Sequence, residues 1–289
     1  MGKRIEQKTS MTAQMTCMIR ALSYYEKDAM YQSNDYIAPI LLPSFLKLLS
    51  KLSIFRNIYR YLAPKGIYEY VIARTKYIDE VFEKNGDHFE QILIFGAGFD
   101  SRSIRFKKKL SNTVFFELDS PVTQNSKIKR FKEKGTDIPS NVIFIPINFQ
   151  KETIAQKLAE YGFNREKRCL FLLEGLTMYL DAQSIDVTFE LISDYAGRGS
   201  IIIFDYIHRS VIRHEDIYAG EKKISQMVSL FGEKWSFGIE RGEVSDFLTR
   251  YGFFITDEAD AMVLEKRYFT KNQLTHRVNE THSVVTAKK

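Results

Sequence analysis

An α/β fold on a mostly parallel sheet is the class this sequence predicts, and three observations lead there. Five short apolar runs recur at intervals: QILIF (91–95), TVFFEL (113–118), NVIFIPI (141–147), CLFLLE (169–174) and SIIIFD (200–205). Near-continuous apolarity in runs of that length marks strands buried on both faces. Amphipathic, charge-rich stretches at 121–134, 151–161 and 182–196 separate them, as in βαβ units. The chain of 289 residues, 44% hydrophobic, is also large enough to bury a substantial core.

The other elements follow in order. Residues 1–90 are mostly helical and precede the first strand, with no linker after them, so they are expected to cap the sheet. Within them, the helix at 67–82 places Ile67, Val71, Ile78 and Val81 on one face, and Arg74 falls on the same stripe. An arginine there needs an anion, either in a structural ion pair or in a ligand. Beyond Asp205 come a helical region to about 231, a segment at 232–238 holding the sole tryptophan, Trp235, a helix near 242–251 and a closing strand at 282–287. One domain, 1–289, is expected: cap 1–90, core 91–205, and lid helices with closing strands 206–289.

Charge and cysteine content narrow the function. The formal charge of +6 comes from 42 basic and 36 acidic residues, interspersed along the chain. A nucleic-acid binder concentrates its basic residues on one face, so none is expected as a partner. The densest basic stretch, KIKRFKEK (127–134), includes a glutamate and reads as a solvated helix face. Cys17 and Cys169 are far apart and form no CxxC, which signals neither a metal site nor a disulfide and suits a cytoplasmic location. The first residues lack the apolar core of a secretory signal. The apolar stretch 37–49 is broken by Pro39, Pro43 and Lys47, so stable membrane insertion is not expected. Packing over the domain is its expected role, with a membrane surface or a substrate tail as the alternative.

Three places carry chemistry. After the first strand, Gly96 and Gly98 allow a tight turn that brings backbone N–H groups close to a nucleotide-like ligand. The dinucleotide fingerprint requires a third glycine where Ser101 stands, preceded by Asp100, and this departure counts against NAD. Glu117 and Asp119 end the second strand about 20 residues beyond Gly96, the distance at which a carboxylate accepts ribose hydroxyls. The alternative is that they flank the helix starting at Pro121. Glu174 leaves an apolar strand at its carboxyl end, the ligand-binding edge of such sheets, unless it simply reaches solvent there.

The run LIFGAGFDSRSIRF (93–106), with FFELD (115–119) and FLLEGLTMYL (171–180), resembles the leucine carboxyl methyltransferase family and its many bacterial relatives of unassigned substrate. Further matches lie at TAQMTCMIRA (12–21), ARTKYID (73–79), GEKWSFGI (232–239) and DFLTRYGF (246–253). The match around Arg20 is loose and belongs to the bacterial branch only. The resemblance implies a class I methyltransferase, Rossmann-like fold: a seven-stranded, mostly parallel sheet with an antiparallel last strand. It also implies S-adenosyl-L-methionine as cofactor. Arg74 would then meet the cofactor's carboxylate, Gly96 and Gly98 would lie beneath it, and Asp119 would hold the ribose. Asn148 and Phe149 would flank the adenine, and Glu174 the amino-acid end. Family members usually carry an Asp-containing pair where this chain has Asn148-Phe149; an amide still pairs with adenine, so altered affinity is expected.

Methyl transfer from a sulfonium needs an oriented nucleophile more than acid–base machinery. A carboxylate is already ionised, a hydroxyl needs a base, and the five histidines offer none; His208 and His214 read as structural or surface residues. A small-molecule carboxylate is therefore the expected acceptor, with a hydroxyl as the alternative. Tyr179 is the candidate for orienting it, and Trp235 closes the pocket or simply packs. Two further alternatives are an NAD-dependent dehydrogenase and a non-catalytic cofactor-binding module.

Overall fold

The computed structural model describes residues 10–149, 151–218, 221–230, 233–269 and 278–289. The expected end of the helical region near 231, Gly232 beside it, and residues 1–9 of the cap lie outside these. In chain order the elements are α1 (Met11–Tyr24), α2 (Ser44–Ser50), α3 (Ser53–Leu62), α4 (Ile67–Asn85), β1 (Gln91–Phe95), α5 (Arg102–Arg105) and β2 (Val114–Asp119). Then come α6 (Pro121–Glu133), β3 (Val142–Pro146), α7 (Ile154–Glu160), β4 (Cys169–Leu173), α8 (Ala182–Tyr195), β5 (Ile201–Ile207), α9 (Arg209–Ile212) and α10 (Glu221–Leu230). Last are α11 (Val244–Thr249), β6 (Phe254–Ala259), α12 (Ala261–Tyr268) and β7 (His282–Lys288).

The seven strands form one sheet in the order β3-β2-β1-β4-β5-β7-β6, with β7 antiparallel to both of its neighbours. Each of the five apolar runs is a strand. Alternation along them divides the core between two faces. Ile92, Ile94, Phe115, Leu170, Leu172, Ile201 and Ile203 join one cluster with α1 and α4 residues, while Leu93, Phe95, Phe116, Phe171, Leu173, Ile202 and Phe204 join another with α8 and α11 residues. The N-terminal helices thus cover one face of the sheet, as expected of a cap.

Start signals are legible at several helices. Ser10 caps α1 by accepting the Ala13 N–H at 3.1 Å, Asp181 caps α8 by accepting that of Ser184 at 2.8 Å, and Pro121 takes the first turn of α6. β6 escapes the apolar-run criterion because it is an edge strand, whose outward positions are exposed and which carries Asp257 and Glu258.

The strand order places the site. From β1 the chain winds outward through β2 to β3, then crosses back to β4 on the other side of β1. The loops leaving β1 and β4 therefore part in opposite directions, and a crevice opens at their carboxyl ends.

Candidate active site

A cavity occupies that crevice. Its floor is the turn after β1, where Gly96 (φ +56°) and Gly98 (φ +48°) both take left-handed backbone. Neither position has room for a larger residue. A Cβ on Gly96 would stand 3.1 Å from a methyl of Leu176, and one on Gly98 would stand 3.2 Å from the Cβ of Ala13. The turn is held from β2: the Gly98 N–H donates to one carboxylate oxygen of Asp119, and the Ser120 N–H donates to the other at 2.6 Å. Burial raises the Asp119 carboxyl while those two N–H groups oppose the rise.

The structure separates the two carboxylates of FELD. Asp119 lines the cavity. Glu117 lies two residues deeper in the strand, fully buried, and accepts Lys127 Nζ at 2.6 Å and Ser103 Oγ at 2.6 Å. It belongs to the interior, because a period of two keeps a side but not a depth.

Beside the turn, Glu174 stands at the end of β4 between two buried arginines, with Arg74 Nε at 3.0 Å and Arg102 Nη1 at 2.6 Å. Arg74 also reaches Asp205 at the carboxyl side of β5, at 2.5 Å, and Tyr70 donates its hydroxyl to the same aspartate at 3.0 Å. The anion required by Arg74 on its apolar stripe is thus a pair of carboxylates. Burial alone would raise the Glu174 carboxyl, yet Arg102, Arg74 and Arg20 hold it well below the usual carboxylate range. Burial likewise works against the charge on Arg74, and Asp205 and Glu174 reverse the effect. Arg102 continues the network to Asp100 and Asp79, and Arg105 and Arg20 continue it to Asp35.

Opposite the turn the wall is apolar, drawn from Met15 and Ile19 of α1, Val71 of α4, Met178, and Ile224 and Met227 of α10. Tyr179, Trp235 and His282 interrupt it, as do Thr12 and Glu233. The Tyr179 hydroxyl lies 3.5 Å from Thr12 Oγ1, and burial pushes its pKa up to about 12. The indole N–H of Trp235 is buried without a well-formed hydrogen bond. His282 packs edge-on to Trp235 and against Tyr70, and burial, then Arg74, push its pKa down to about 3.

Arg74, Gly96, Gly98, Asp119, Glu174, Tyr179 and Trp235 all line this cavity; Asn148 and Phe149 do not. Those two follow β3 at the same sheet edge, where the Asn148 N–H donates to Glu152 at 2.8 Å and Phe149 packs on the second core cluster. His208 and His214 are likewise absent from the lining. Asp205, Arg102, Tyr70 and His282 were missed. Asp205 carried a usable signal, since like Glu174 it is a carboxylate emerging from an apolar strand. Tyr70 and His282 carried none, because neighbours from α4 and β7 meet only in three dimensions.

The donor set suits S-adenosyl-L-methionine. Asp119 stands at the strand end where a carboxylate can accept ribose hydroxyls, and the paired Glu174 and Arg74 put both signs of charge on the cavity wall, as a zwitterionic amino-acid group requires. Among the described residues no cluster of side chains fits a metal ion.

Comparison with known proteins agrees. The leucine carboxyl methyltransferase family profile matches residues 13–193. A Mycobacterium tuberculosis protein described as a candidate S-adenosyl-L-methionine-dependent methyltransferase is 32% identical over 133 residues, which are 46% of this chain and 42% of that protein. A relative of the same description from Mycolicibacterium paratuberculosis is 27% identical over 210 residues, covering 68% and 66%. The matches thus span 42% to 66% of the length of these two curated relatives. A crystal structure of a methyltransferase candidate from Thermobifida fusca superimposes with a TM-score of 0.61 over 98% of this chain and 95% of its own, at 13% identity, a likeness of fold. With more than half of its length matched, the chain belongs to the leucine carboxyl methyltransferase family.

Proposed function

We propose that this protein is an S-adenosyl-L-methionine-dependent O-methyltransferase that converts a small-molecule carboxylate into its methyl ester. The observation that carries the choice of acceptor is the burial of His282 against Tyr70 and Trp235. Among the described residues it is the only histidine lining the cavity, and its burial makes it too weak a base to take a proton from a hydroxyl near neutral pH. The other acids and bases of the wall are engaged: Glu174 with two arginines, and Glu233 with the N–H groups of Met11 and Thr12. A carboxylate acceptor is ionised already and needs no base.

The cofactor, when bound, supplies an electrophilic methyl group on a sulfonium. Asp119 holds the ribose, Arg74 and Glu174 the amino-acid end, Gly96 and Gly98 the close approach of backbone, and Asn148 with Phe149 the adenine side. Tyr179 and Trp235, which present one O–H and one N–H, hold the acceptor carboxylate and keep bulk water away.

Calorimetric titration with S-adenosyl-L-methionine and with NAD tests the cofactor; binding of NAD alone would end this reading. Transfer of labelled methyl to a panel of carboxylic acids and matched alcohols tests the acceptor. Base-labile methyl esters are expected, and label found only on alcohols would overturn the carboxylate assignment.

A further inference from the structure

Helices α2 and α3 carry more apolar surface than their packing uses. Their inward sides supply Leu46, Phe55 and Tyr59 to the main core cluster. Their outward sides are apolar as well: Phe45 and Leu48 on α2, Leu52 between the helices, and Ile54, Ile58, Tyr61 and Leu62 on α3, with exposures from 48% at Leu52 to 87% at Tyr61. Seven of the thirteen exposed large hydrophobic residues among those described fall in this segment. Single exposed apolar side chains are ordinary, but a cluster marks a contact surface. The stretch 37–49 therefore has two fates: Ile37, Ala38, Leu41 and Leu42 are buried, whereas Phe45 and Leu48 are not.

Charge indicates what the surface meets. From 36 to 68 the chain has no acidic residue, and it carries Lys47, Lys51, Arg56, Arg60 and Lys65. Arg56 and Arg60 pair with Glu26 and Glu69, while Lys51 and Lys65 are exposed. The basic end of α6 adjoins the patch: Lys134 Nζ donates to Ser44 Oγ at 2.7 Å, and the Arg130 guanidinium donates to the Leu41 carbonyl. The stretch 127–134 is thus a solvated face only in part: Lys127 and Phe131 are buried, while Lys129, Lys132 and Lys134 are exposed, and Lys134 borders the apolar surface.

We propose that the α2–α3 face docks on the surface of an anionic lipid bilayer. Aliphatic side chains enter the boundary between headgroups and acyl chains, Tyr61 lies at headgroup depth, and the lysines meet lipid phosphates. A second copy of the chain is a poor occupant, because a two-fold contact would set the exposed lysines of this face, Lys51 and Lys65, against their own copies. A protein partner would anchor in a pocket, and none of the principal cavities is lined by α2 or α3. No helix of the described residues is long and apolar enough to cross a membrane, so the attachment is peripheral.

Co-sedimentation of the full chain with vesicles provides the test. Binding is expected to vesicles of phosphatidylcholine and phosphatidylglycerol in equal parts, with little to phosphatidylcholine alone and release in high salt. Ile58→Glu should weaken the partition by about tenfold or more, and Lys51→Gln by roughly fivefold, the equivalent of about 1 kcal/mol for one cation at an anionic surface. Both variants should keep the parent melting temperature and cofactor affinity, which separates this outcome from failure of the methyltransferase reading. Absence of binding to the anionic vesicles overturns the proposal, even if Ile58→Glu abolishes a dimer or the capture of an acidic protein. Binding that Ile58→Glu leaves unchanged overturns it too.

Discussion

Arg74 on α4 and Glu174 at the end of β4 form a buried ion pair, Nε to Oε1 at 3.0 Å, across the wall of the cavity. Glu174 is shared with Arg102, and Arg74 with Asp205. Arg74 therefore has a scaffold role beside its proposed role toward the cofactor, and the two are separable. Arg74→Ala is expected to cost about 3–5 kcal/mol of stability, because two buried carboxylates lose a partner. It should also weaken S-adenosyl-L-methionine binding by about tenfold or more, on the order of 1.4 kcal/mol. Denaturant unfolding and calorimetry read the two quantities. Lower stability with unchanged affinity would leave Arg74 as scaffold only.

Asp119→Asn keeps one acceptor oxygen but loses the charge and the second carboxylate oxygen. S-adenosyl-L-methionine and its demethylated product share a ribose, so the affinity of both should fall by about tenfold. A loss confined to one of the two would remove Asp119 from the ribose site.

Gly98→Ala places a side chain on left-handed backbone, 3.2 Å from the Cβ of Ala13. The expected loss is about 1–2 kcal/mol in denaturant unfolding. Pairing it with Ala13→Gly should recover only part of the loss, since that change relieves the contact but not the backbone strain. Full recovery would mean that the backbone carries no strain.

His282 makes stability pH-dependent. Its pKa falls from about 6.5 in the unfolded chain to about 3 in the folded one. Well above pH 6.5 neither state is protonated and the fold keeps its full stability; as pH drops below 6.5 toward 3 the unfolded chain alone takes up the proton, and stability is lost at a slope that approaches about 1.4 kcal/mol per pH unit. Glu174, held below its ordinary value of 4.5, acts in the same direction in more acid solution. His282→Gln should flatten the melting-temperature profile between pH 6.5 and 4.5. An unchanged slope would place the acid sensitivity elsewhere.

Tyr179→Phe retains the buried ring and removes the hydroxyl. The KM of the acceptor should rise several-fold while cofactor affinity stays constant. Changed cofactor affinity with an unchanged acceptor KM would move Tyr179 to the cofactor side of the cavity.

What could be read along the chain was whatever a local pattern enforces. Apolar runs long enough to be buried on both faces became β1 to β5, and Gly96 and Gly98 sit at positive φ where a tight turn was expected. Asp119 and Glu174 were legible because a charge at the end of an apolar strand must lie at the sheet edge. β6 was not legible, since an edge strand exposes one side and loses the apolar run.

The sequence by itself determined the α/β class, the glycine turn after β1 and the family resemblance, all carried by neighbouring residues whose spacing constrains the backbone. Tertiary structure alone decided which charges meet. Glu117 and Asp119 share a strand and a side, yet one is paired in the interior and the other faces the cavity. Arg74 found Asp205 and Glu174, and His282 found Tyr70 and Trp235, across separations that no periodicity spans. Their ionisation depends on burial and on partners brought together by folding, so the chemistry of the site appears only once the sheet has closed its two faces.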